Sequence, residues 1–147
     1  RGPRGVRAAV AAALLLTVGG LAAAGCGRAD TSEPVSFSDI DSIIAAADLR
    51  VCDEIETEAR APGAVEERRY DVGFACGDGD EEAVVVATAY NDDEARDGAA
   101  RRFEGQVRPP AQGGVWTLGP FTVRVSGNRD PETVDALTEA LEDRGAE

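Results

Sequence analysis

The chain has 147 residues, with 15 basic groups that are all arginine, 28 acidic groups and a formal net charge of −13. It has no histidine and no lysine, which excludes an imidazole base for a serine or cysteine nucleophile, a histidine-ligated zinc and lysine Schiff-base chemistry. The length fits one domain plus an extension.

Residues 1–25 read as a cleaved secretory signal: Arg1, Arg4 and Arg7 make a positive start, an apolar run follows from Ala8 to Ala24, and small residues lead up to Cys26. A membrane-spanning helix competes with that reading. The run is about 17 residues, at the lower limit for crossing a bilayer, and Gly19 and Gly20 weaken it as a helix. The stretch Ala23-Ala24-Gly25-Cys26 resembles the lipobox of bacterial lipoproteins, with alanine at 23 where leucine is commonest in that family. The resemblance implies cleavage before Cys26, a diacylglycerol on its thiol, and attachment at the outer face of the cytoplasmic membrane. Cleavage after Ala24 would instead release a soluble domain with a free thiol. Export places the chain in an oxidising compartment, where three cysteines leave one unpaired. Lipid on Cys26 therefore leaves Cys52 and Cys76 as a disulfide pair. Residues 26–36, small and polar with Pro34, make a flexible tether to a single domain over 37–147.

Within that domain, Ser36 or Ser38 can cap a helix whose Ile40, Ile43, Ile44 and Ala47 recur with helical spacing. The next segment, residues 50–59, could extend that helix or form a strand, and a short strand is favoured because Val51, Ile55 and Thr57 are β-branched. Tyr70, Val72, Phe74 and Cys76 alternate along a second strand, and a third runs from Glu81 to Tyr90, joined to it by the turn residues 77–80. The midpoint between the cysteines falls at Ala64, a register that sets them opposite each other but puts Glu54 and Glu56 on the face of Val72 and Phe74. Either a bulge intervenes or the first segment is not a regular strand.

Asn91 and Glu94 have capping-box spacing before a helix carrying Ala95, Ala99 and Phe103, which ends before Pro109 and Pro110. A second strand pair turns at Gly119 and Pro120, with Phe121, Val123 and Val125 on one face and Thr122, Arg124 and Ser126 on the other. Asp130, Pro131 and Gly145 bracket a last helix with Val134, Leu137 and Leu141 on one stripe. The order α-β-ββ-α-ββ-α predicts an α+β fold: an antiparallel sheet of four to five strands with three helices packed mainly on one face. The helix followed by Leu49-Arg50-Val51-Cys52, the later Cys76 and the strand pair over 115–123 resemble small secreted or lipid-anchored actinobacterial domains of uncharacterised function. That resemblance implies no reaction.

From Cys26 onward 12 arginines face all 28 acids, a formal net charge of −16. Such a domain repels nucleic acid and anionic headgroups and suits a partner with a basic surface. The acids at 78–82 and 91–94 suggest calcium, but one strand between them separates the clusters by about 30 Å. A charged hairpin tip and acids at a positive helix N-terminus account for them. Trp116 could stack on a sugar or peptide, or belong to the core. No catalytic constellation, metal site or cofactor is expected. The sequence thus points to a lipid-anchored, non-catalytic binding or envelope-associated module. The alternatives are a freely secreted domain of the same fold and a small hydrolase using paired carboxylates.

Overall fold

The computed structural model describes residues 34–77, 82–106, 112–127 and 131–147. The signal segment, Cys26, the tether up to Glu33, the acids at 78–81, Pro109, Pro110 and Asp130 lie outside the described residues. The elements are α1 (Phe37–Ala46), β1 (Arg50–Thr57), β2 (Ala64–Gly73), β3 (Ala83–Tyr90), α2 (Asp93–Glu104), β4 (Gln112–Leu118), β5 (Phe121–Gly127) and α3 (Pro131–Asp143). All neighbouring strands run antiparallel, in the order β1-β2-β3-β5-β4. This is the expected α+β architecture, with β1 and β4 as its two edges. Among the described residues no helix is long and apolar enough to cross a membrane.

The core forms where helical and strand periodicities meet. Ile40, Ile43 and Ile44 of α1 and Val134, Leu137 and Leu141 of α3 pack on Tyr70, Val72, Val85, Ala87, Phe121, Val123 and Val125, which share one sheet face. Helix α2 lies on the other face, where Arg124, between Val123 and Val125 in β5, extends over the Phe103 ring. Two of the three helices therefore cover one side, and α2 adds a third layer on the other. That layer explains why Thr88 and Thr122, which alternation alone assigns to a solvated face, are fully buried.

Both core helices end in the same way. In α1 the Asp48 N–H donates to Ala45 O and the Leu49 N–H to Ile44 O; in α3 the Gly145 N–H donates to Glu142 O and the Ala146 N–H to Leu141 O. Each is a Schellman motif, which requires a left-handed residue: Gly145 at φ 88°, as its position predicts, and Asp48 at φ 57°, which nothing in the sequence marked. At the start of α1, Ser36 caps as expected, and Asp39 reaches back to the Ser36 N–H at 2.8 Å. The cap of α2 is Asp92 rather than Asn91, accepting from the Ala95 N–H at 2.8 Å.

The β1–β2 register also differs from expectation. Glu56 pairs with Arg68, so the hairpin is centred on Pro62 and not on Ala64. The pairing shifts between Val51 and Asp53, which makes Cys52 the extra residue of a bulge. Strand β2 ends at Gly73, so Phe74 and Cys76 leave the core face, and Phe74 is 41% exposed. The cysteines are nevertheless bonded, with Cα atoms 5.2 Å apart, because the chain after β2 curls back toward the bulge.

Candidate functional site

Charged side chains concentrate on the β1–β2 side of the sheet, on both faces and along the free edge. The register fixes which residue goes where. Past the bulge, Glu54 and Glu56 stand opposite Tyr70 and Arg68 on the α1 side, while Asp53, Ile55 and Thr57 stand opposite Asp71, Arg69 and Glu67 on the α2 side.

On the α2 side Glu67 is the centre of a polar network. Its Oε1 accepts from the Thr57 hydroxyl at 3.0 Å and its Oε2 from the Thr88 hydroxyl at 2.8 Å, with Arg124 Nη2 at 3.4 Å. The Arg124 guanidinium lies 4.1 Å from the centroid of Phe103, a cation–π contact that seats α2 on the sheet. Beside it Arg69 holds Asp71 at 2.9 Å. Both Glu67 oxygens are engaged, so this cluster ties the sheet to α2.

On the α1 side the balance is negative. Arg68 pairs with Glu54 at 3.1 Å and Glu66 at 2.8 Å and stacks over Phe37 at 4.3 Å. Asp41 and Glu56 also stand on this side, and Arg68 is the cation of the group. Burial, then repulsion from Glu54, pushes the Asp41 carboxyl above its ordinary range. Burial, then the Asp41 and Glu54 charges, pushes the Tyr70 phenol up to about 12. One guanidinium thus serves a surplus of carboxylates.

The residues singled out from the sequence fall apart in space. Cys26 lies outside the described residues. Cys52 and Cys76 form a disulfide at one end of β1. Trp116, on edge strand β4, is partly buried against the core. A Cβ at Gly114 would come within 2.7 Å of the Trp116 ring, so the ring fills the space that a side chain at 114 would take, a structural duty. Of the acids thought to share a helix N-terminus, Asp92 caps α2 and Asp93 pairs with Arg96 at 2.9 Å. Glu82, read as part of a charged hairpin tip, instead accepts from the Phe74 N–H at 3.1 Å and the Thr133 hydroxyl at 2.8 Å, tying the end of β2 to α3.

Two shallow depressions lie among the described residues. One of about 350 Å³ lies among Pro62, Gly63, Ala95 and Arg102, and one of about 380 Å³ among Ser42, Ile43, Ala140 and Arg144. Neither touches Trp116 or the acid-rich strand. The Glu67 network escaped sequence reasoning because Glu67 and Arg124 are 57 positions apart, and only the pairing of β2 with β3 and of β3 with β5 brings them together.

No family model, curated protein or solved structure matches this chain.

Proposed function

We propose that the protein is a lipoprotein, held at the outer face of the cytoplasmic membrane by lipid on Cys26, whose domain is a non-catalytic binding module. The Cys52–Cys76 disulfide carries this assignment. Such a bridge belongs to an oxidising compartment, and it uses the even pair, leaving Cys26 as the odd thiol at the end of a signal-like segment. One acyl chain binds a membrane only marginally, and two or more anchor stably, which is the chemistry that the lipobox resemblance implies. The surplus of carboxylates around Arg68 favours a cationic partner over nucleic acid or an anionic lipid surface.

Intact mass of the protein extracted from membranes, with and without an inhibitor of lipoprotein signal peptidase, tests the assignment. A mature chain beginning at Cys26 and carrying diacylglycerol is expected, and Cys26→Ala should abolish attachment. A soluble mature chain beginning at Gly25 with a free Cys26 thiol would overturn it.

A further inference from the structure

The two edges of the sheet are treated differently. At the β4 edge, Thr117 and Glu147 exchange backbone hydrogen bonds, Thr117 N–H to Glu147 O at 2.6 Å and Glu147 N–H to Thr117 O at 3.0 Å, so Glu147 pairs beside the next-to-last residue of that strand. At the β1 edge, among the described residues, no backbone group of Arg50–Thr57 bonds outside the sheet. Among the described residues, the outer side of this eight-residue strand has no backbone partner. An open edge is a template for another strand unless something blocks it.

The side chains along β1 say what chemistry fits. Asp53, Glu54, Ile55 and Glu56 are all exposed, with Ile55 at 43%. Of the three acids, Glu54 is held by Arg68; Asp53 and Glu56 form no ion pair among the described residues. A second β1 from another copy of this chain would set these carboxylates against one another, which like-charge repulsion opposes. We propose that β1 is a docking edge for an extended, basic segment of another protein, which adds as a sixth strand beside Arg50–Thr57. Backbone hydrogen bonds supply the affinity and side chains at alternate positions the choice of partner. Because side chains alternate with a period of two, arginines or lysines two apart in the segment would lie by Glu54 and Glu56 on the α1 side. The residue between them would lie by Ile55 and is expected to be apolar. The proposal deepens the binding-module assignment and rests on it only for the word binding: membrane attachment and strand addition are measured separately and can fail separately.

The test uses the full-length protein in non-ionic detergent and a labelled peptide alternating arginine and valine over about seven residues, the length that spans such a strand. Binding is read by fluorescence anisotropy and by amide hydrogen exchange across residues 50–57. Slowed exchange in β1 is expected. A peptide of the same sequence with alternate backbone nitrogens methylated keeps its charge and loses its donors, and it should bind at least tenfold more weakly. Asp53→Arg with Glu56→Arg should weaken the parent peptide at least tenfold, whereas Asp135→Arg with Glu139→Arg on the exposed side of α3 makes the same charge change and should leave it within twofold. Equal binding of the methylated peptide, equal loss in the α3 variant, no binding of the parent peptide, or self-association of the protein through β1 would each overturn the proposal.

Discussion

Thr88, fully buried in β3, donates its hydroxyl to Glu67 Oε2 at 2.8 Å, the oxygen that Arg124 Nη2 approaches at 3.4 Å. Removing the carboxylate strands that hydroxyl and leaves Arg124 without its anion. A buried polar group left unsatisfied costs about 1–3 kcal/mol. Glu67→Ala should therefore lower unfolding stability by about that much in urea titrations, and a Thr88→Val background should reduce the loss. Equal losses in the two backgrounds would mean that the pair is not coupled.

Asp48 ends α1 in the left-handed region at φ 57°, a conformation that costs an L-residue more than it costs glycine. Asp48→Gly is expected to raise stability by roughly 0.5–1 kcal/mol, seen as a higher denaturation midpoint with an unchanged slope. Gly145→Ala, at the corresponding place in α3, should move the midpoint in the opposite direction.

The Cys52–Cys76 bridge closes a loop of 24 residues' separation. Replacing both cysteines by alanine should lower stability by about 3 kcal/mol on the loop-entropy model. Membrane attachment should persist in the same variant, because attachment is assigned to Cys26. Loss of attachment from correctly exported protein would show the cysteines to be assigned to the wrong roles.

Tyr70 makes the alkaline limb informative. Its phenol is raised from an ordinary 10.0 to about 12 by burial first and by the Asp41 and Glu54 charges next. The folded chain keeps that proton where the unfolded chain loses it. This contribution to stability is thus whole below pH 10 and disappears as pH rises toward about 12. With no lysine in the chain and Tyr90 replaced by phenylalanine, absorbance near 295 nm reports Tyr70 alone among the tyrosines. A midpoint at the ordinary value would contradict the burial argument.

The elements were legible because each carries a local signal. Ile40, Ile43 and Ile44 recur as a helix requires, Phe121, Val123 and Val125 alternate as a strand requires, and Gly145 stands where a helix must turn left-handed. Errors arose where a local signal had a near rival. Asn91 and Asp92 can both cap, and the cysteine midpoint mimicked a hairpin centre two residues from the true one at Pro62.

The sequence by itself determined the helices, the strands, their order along the chain, the antiparallel character of the sheet and the number of cysteines to be paired, since periodicity, capping and parity act over short spans or by counting. Only the tertiary structure decided that α2 crosses to the far face and buries Thr88 and Thr122, that Glu67 meets Arg124, that Trp116 lies over Gly114, and that Glu147 pairs with one sheet edge while the other has no backbone partner among the described residues. Each of those outcomes depends on register between strands distant in the chain, and register is set by packing across the whole sheet rather than by any one segment.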